Sequence, residues 1–111
     1  MFEKNLNIAY LLDFYGDLLS ERKRSVMNMY YNEDLSLAEV ALEVGISRQG
    51  VRDLIKKSEE ELFEYESKLG LARKINALEK SVQRLSALAQ QHSLPDEIGA
   101  EIEQLSSIID S

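Results

Sequence analysis

Ser47, Arg48, Gln49, Arg52, Lys56 and Lys57 are the residues of this chain whose types and spacing best suit a ligand. Guanidinium groups at 48 and 52 can pair with guanine O6 and N7 or clasp a phosphate, and the Gln49 amide can read adenine. Lys56 and Lys57 add point charges suited to a phosphate backbone. Residues four apart share a helix face. One helix starting at Ser47 would therefore turn these groups outward while burying Val51, Leu54 and Ile55. The chemistry on offer is recognition, with no bond made or broken.

The elements that must position this set are legible on either side of it. Ser36 followed three residues later by Glu39 is a capping box, a helix start that satisfies orphan amide groups reciprocally. Leu37, Val40, Ala41 and Val44 give the helix one apolar face. Gly45 stands where the chain must leave that helix, a position that favours the left-handed conformation. Ile46 would tuck the turn into a core, and Ser47 would cap the next helix. Residues 36–57 thus read as a helix-turn-helix, whose second helix commonly enters the major groove of DNA.

Net charge complicates a nucleic-acid partner, because the 111-residue chain carries −7. DNA-binding domains are usually basic, since counterion release drives their affinity. Residues 36–58 hold four basic and three acidic side chains, so the recognition helix is locally basic. Glu59, Glu60, Glu61, Glu64 and Glu66 follow immediately, an acidic block expected to repel phosphate. Arg22, Lys23 and Arg24 form a second basic patch. It could touch phosphate or, as the stronger expectation, pair with nearby acids.

Other classes of function find little here. The chain has no cysteine, which excludes disulfides, thiolate metal sites and cysteine nucleophiles. His92 is the single histidine, with no partner ligand or nucleophile at a telling spacing. There is no phosphate-binding glycine loop, no Gly-x-Ser-x-Gly and no His-Glu-x-x-His. No catalytic residue, metal or cofactor is expected, and the chain reads as a non-enzyme. Glu3, Lys4 and Asn5 argue against a signal peptide, and no apolar run is long enough to span a bilayer. A soluble cytoplasmic protein without membrane insertion is expected.

The fold is expected to be all-α: a helix-turn-helix domain over residues 1–69 and a C-terminal antiparallel helical hairpin over 70–111. A first helix from Leu6 to Tyr15 would carry Leu6, Ala9, Tyr10, Leu12 and Phe14 near one side and end at Gly16. A second, capped by Ser20, would run until Asn32-Glu33-Asp34 breaks it. The recognition helix should overshoot the motif through Leu62, Tyr65 and Leu69, and stop at Gly70. Among the aromatics, Phe14, Tyr30 and Phe63 read as core, with Tyr31 or Tyr65 as exposed contacts.

Past Gly70, Leu71, Ile75, Leu78, Val82 and Leu85 recur at spacings of four and three, the narrow seam of a coiled coil. Pro95 suits the first turn of a further helix, in which Ile98, Ile102, Leu105 and Ile109 repeat the spacing. One helix is basic and the other acidic, so their charges should complement one another. A hairpin buries too little alone. Its seam needs either the N-terminal domain or the hairpin of a second chain, and a homodimer is the expectation.

The run from Leu11 to Leu71 resembles the YlxM family of small bacterial proteins in its Asp-Phe-Tyr-Gly segment (13–16), its Tyr-Tyr-x-x-Asp-Leu-Ser-Leu entry to the motif (30–37), its Ile-Ser-Arg-Gln turn (46–49) and its Tyr-Glu-x-Lys-Leu exit (65–69). The resemblance implies a fold similar to region 4 of bacterial sigma factors, which contacts promoter DNA. Family members are encoded beside the signal recognition particle GTPase and its receptor. The implied partners are therefore that GTPase, its RNA or its receptor. Ser47, Arg48, Gln49 and Arg52 fall where sigma region 4 places its cap and its contacting side chains. Gly50, Asp53 and Glu59 to Glu61 depart from the sigma pattern, which weakens the expectation of tight, sequence-specific DNA binding. Three readings follow: an accessory or regulatory protein of the signal recognition particle pathway, a regulator binding double-stranded DNA through residues 47–57, and a dimeric protein-binding scaffold.

Overall fold

The computed structural model describes residues 6–110, with side chains from Asn7 onward. The segment holding Glu3, Lys4 and Asn5 and the side chain of Leu6 lie outside the described residues. Among the described residues helices are the only repetitive structure: α1 (Leu6–Tyr15), a 3₁₀ turn (Gly16–Leu18), α2 (Glu21–Tyr31), α3 (Leu37–Val44), α4 (Arg48–Leu69), α5 (Leu71–Gln91) and α6 (Asp96–Asp110). The described residues fall into two compact units, 6–70 and 71–110.

In the first unit α4 is the central strut, and α1, α2 and α3 all pack on it. At 22 residues it is about 33 Å long. Val51, Ile55, Ser58 and Leu62 form its buried stripe, at steps of three and four. Against that stripe lie Ile8, Leu11, Leu12 and Tyr15 of α1, Val26, Met27 and Tyr30 of α2, and Val40 and Ala41 of α3. Ser58 is the polar member of this core. Its hydroxyl donates to the Leu54 carbonyl at 2.7 Å, so the group is satisfied within its own helix.

The buried face of α1 lies on a different side from the sequence reading, and is made by Ile8, Leu11, Leu12 and Tyr15. Ile8 and Tyr15 replace Ala9 and Phe14 inside, Leu12 is buried as expected, and Tyr10 is 37% exposed. Both choices satisfy an i, i+3, i+4 pattern, and only the contacts with α4 choose between them. Tyr30 is buried as expected, but Phe63 is 49% exposed. Leu69, expected to continue the buried face of α4, is also exposed.

The hairpin unit is held by α5 against α6, joined by residues 92–95. Pro95 stands just before α6, where its carbonyl accepts from Ile98 N–H at 3.0 Å. Residues 79–83 share one cavity with residues 106–110, while 86–90 share another with 94–103, an antiparallel register. The structure splits the coiled-coil seam. Val82 and Ile102 are buried and Ile75 and Ile109 are half-buried, but Leu71, Leu78, Leu85, Ile98 and Leu105 are between 42% and 48% exposed. The line of contact passes through Ile75, Glu79, Val82, Ser86 and Ala89 on α5, and Gly99, Ile102, Ser106 and Ile109 on α6. Small residues there let the helices approach, and the larger leucines stand to one side. Helix α5 is basic and α6 acidic, but among the described residues Lys74, Lys80 and Arg84 form no direct ion pair with Glu97, Glu101 or Glu103.

Candidate nucleic-acid interface

Three short-range devices set the entry to the recognition helix. At the start of α3, Ser36 N–H donates to Glu39 Oε1 at 3.0 Å and Glu39 N–H donates to Ser36 Oγ at 3.1 Å, the complete capping box. These hydrogen bonds to Ser36 favour the carboxylate and hold the Glu39 pKa below its ordinary 4.5. At the end of α3, Gly45 adopts φ 77°, ψ 32°, and both Gly45 and Ile46 N–H donate to the Ala41 carbonyl. Ser47 Oγ then accepts from Gly50 N–H at 2.9 Å and caps α4. The Ser47 hydroxyl is therefore structural in this geometry.

Arg48, Arg52, Lys56 and Lys57 are all exposed, and none forms an ion pair among the described residues. Arg48, Arg52 and Lys56 follow one another at single-turn steps along α4, a ladder of cations that suits a phosphate backbone. Gln49 differs. Its amide nitrogen donates to Asp53 Oδ1 at 3.0 Å, one turn along the same face. Bidentate reading of adenine uses that same NH₂, one of whose two hydrogens is already given to Asp53, whose carboxylate stands beside the amide. The arrangement favours phosphate contact over base reading.

Gly50 has a reason beyond its cost to the helix. A Cβ there would lie 3.2 Å from Ser47 Oγ and 3.4 Å from Ile46 Cδ1. The glycine makes room for the cap and for the turn residue beneath it.

The acidic block after the ladder is largely turned back onto its own unit. Tyr31 donates its hydroxyl to Glu59, Lys23 pairs with Glu61 at 2.5 Å, and Tyr15 donates to Glu66 at 2.6 Å. Glu64 pairs along the helix with Lys68 at 3.0 Å. From Arg52 to Glu59 is about 10 Å along the axis, near the Debye length at physiological salt, so repulsion at the head of the ladder is largely screened. The acids that counted against a polyanion hold α1 and α2 on α4. Sequence reasoning missed these clamps because each joins residues 28 to 51 positions apart, and no local pattern marks them.

The second basic patch is mostly consumed. Lys23 is engaged by Glu61 and Arg24 by Asp17 at 3.3 Å, which leaves Arg22 exposed outside any ion pair among the described residues. Tyr31 and Tyr65 are half-buried; Tyr65 donates a long 3.4 Å bond to the Leu18 carbonyl. Among the described residues no cluster of His, Asp or Glu could hold a metal, and no helix is long and apolar enough to cross a membrane.

A small all-α protein that presents a cation ladder from the second helix of a helix-turn-helix is the class these features define. The chain belongs to the UPF0122 family, described as "Putative helix-turn-helix protein, YlxM / p13 like", whose pattern matches residues 2–103. A UPF0122 protein of Listeria innocua is 41% identical over 109 residues, covering 97% of this chain and 99% of its own. One from Halalkalibacterium halodurans is 40% identical over 108 residues, with the same coverage. One from Bacillus thuringiensis is 40% identical over 110 residues, covering 99% of this chain and 97% of its own.

Proposed function

We propose that this chain is a non-enzymatic, cytoplasmic accessory protein of the signal recognition particle pathway, and that it contacts the particle's RNA through the cation ladder of α4. The observation that carries the nucleic-acid part is the set of exposed, unpaired Arg48, Arg52, Lys56 and Lys57 at the head of a capped helix. The pathway part rests on the resemblance to the YlxM family, whose genes neighbour those of the targeting GTPase and its receptor. The exposed remainder of the acidic surface offers a complementary face for a basic protein partner.

Structured RNA fits the ladder better than a DNA operator does. Double-stranded RNA is recognised mainly by shape, phosphate and 2′-hydroxyl contacts, whereas an operator must be read at base edges. With one Gln49 N–H given to Asp53, the two arginines are the base readers of the first turns that have no side-chain partner among the described residues. DNA-binding regulation is the second reading. It is favoured by the placing of Arg48 and Arg52 at the N-terminal end of the helix, the part that such motifs insert into the major groove.

An anisotropy titration of the labelled chain decides between them. It uses reconstituted particle, GTPase plus RNA, at about 0.15 M salt, with random duplex DNA as competitor. Saturable binding that survives the competitor is expected. The double change Arg48→Ala and Arg52→Ala should weaken it by at least tenfold and reduce the salt slope by about two. Absence of binding to the particle would overturn the pathway reading, and selective retention of duplex DNA would replace it with the regulatory one.

A further inference from the structure

We propose that the hairpin unit is a dimerisation module, in which α5 of one copy covers α6 of a second copy to complete a two-fold four-helix bundle. The starting observation is an apolar face that α5 and α6 leave open together. Leu85 of α5 and Ile98, Ile102 and Leu105 of α6 line a single groove, edged by Glu97 and Glu101. Leu78 and Leu88 extend it along α5, and Ile108 along α6.

Area, pattern and charge all select a second copy as the occupant. Taken with their exposures, these residues offer on the order of 500 Å² of apolar surface per copy, which brings the pair to roughly the 1,000 Å² that a specific interface requires. The leucines of α5 and the isoleucines and leucine of α6 keep a seven-residue step (Leu78 to Leu85; Ile98 to Leu105), so each row suits the other as knobs and holes. Charge then fixes the pairing. Helix α5 carries Arg73, Lys74, Lys80 and Arg84 against Glu79, while α6 carries Asp96, Glu97, Glu101, Glu103 and Asp110 with no base. A two-fold axis along the bundle stacks α5 on the partner copy's α6, with all neighbours antiparallel and unlike charges together. A two-fold axis across the bundle would stack α5 on α5 and set like charges together, which is unfavourable. In the favoured arrangement Arg84, next to Leu85, reaches Glu101 of the second copy. Neither side chain has an ion-pair partner among the described residues.

Sedimentation equilibrium of the full chain from 1 to 200 µM tests this directly. The expected species is twice the 12.7 kDa monomer mass. A chain monomeric across the range overturns the proposal and leaves the face to some other partner. Leu85→Glu with Leu105→Glu should raise the dimer dissociation constant at least a hundredfold while helical circular dichroism is kept, because both side chains are already exposed in the single copy. A dimer unaffected by these changes overturns the proposed face. The pairing has its own test. Arg84→Glu and Glu101→Arg should each weaken self-association about tenfold, and a mixture of the two variants should form the heterodimer at the parental affinity. Failure of the mixture to recover overturns the α5-on-α6 arrangement. None of these readouts involves RNA or the GTPase, so the outcome is independent of the proposed function.

Discussion

Residues 6–70 and residues 71–110 are both amphipathic helices with apolar side chains at steps of three and four, yet they bury those side chains to different extents. In the first unit Ile8, Tyr15, Val26, Met27, Val40, Val51, Ile55 and Leu62 are at most 1% exposed. In the hairpin, the two best-buried large residues, Val82 and Ile102, keep 6%, and a row of leucines and isoleucines stands more than 40% open. Three helices close around the long α4 in the first unit, so its core is covered on every side. Two helices touch along a single line and cannot cover a stripe wider than that line. Periodicity therefore reports which face is apolar, and the number of surrounding elements decides how much of it is covered.

The largest effect should come from setting the two kinds of leucine-like residue against each other. Ile55→Ala removes three carbons from a fully buried site and should cost about 3 kcal/mol in denaturant unfolding, independent of protein concentration. Leu85→Ala should cost less than about 1 kcal/mol in dilute solution. Its effect should grow as concentration rises, because the parental chain then gains stability from association. If both penalties were equal and concentration-independent, the contrast between the units would be wrong.

Next in size is Tyr15→Phe, which keeps the ring and deletes the hydroxyl that donates to Glu66. A lost hydrogen bond to a charged group predicts about 1.5–3 kcal/mol of destabilisation, at the lower end here because Glu66 is half-buried and water can replace the donor. Hydrogen-exchange protection in α1 should fall with it. A variant of parental stability would mean that the acidic block does not clamp α1 to α4.

This clamp also marks the limit of what the sequence carried. The capping box, the Gly45 turn, the Ser47 cap and the break at Gly70 were legible, because each is a local device whose residues lie within a few positions of one another. The cation ladder was legible for the same reason. The choice of buried face on α1, the exposure of Phe63 and the inward use of Glu59, Glu61 and Glu66 were not, since each depends on which helix arrives from far along the chain. The split hairpin seam was hidden for a different reason. A heptad pattern reads the same whether one helix or three will cover it.

The turn of the helix-turn-helix gives a cleaner, smaller prediction. A Cβ at Gly45 would meet no atom within 4 Å, so the site is open and only the φ of 77° opposes a side chain. Gly45→Ala should destabilise the first unit by about 1 kcal/mol, and Gly45→Asn by less, because asparagine tolerates the left-handed region better. Thermal unfolding of both variants checks the order. A reversed order would mean that the turn leaves this conformation when substituted.

The smallest expected effect is the pH response of the capping box, and its sign follows from the direction of the Glu39 shift. Hydrogen bonds to Ser36 lower the folded-state pKa below the ordinary 4.5, so the folded chain holds the carboxylate more readily than the unfolded one. The resulting stabilisation is fully present above pH 4.5 and is lost as pH falls through the lowered folded value. Glu39→Gln removes the titration but keeps a group that can accept from the Ser36 N–H. Melting temperatures of the two chains, measured from pH 7 down to pH 3, should separate at neutral pH, with the parental chain higher. They should converge at the acid end as Glu39 protonates. Because Glu39 is exposed, the separation should shrink in high salt. Curves that remain parallel across the whole range would mean that Glu39 contributes no charge-dependent stability to the start of α3.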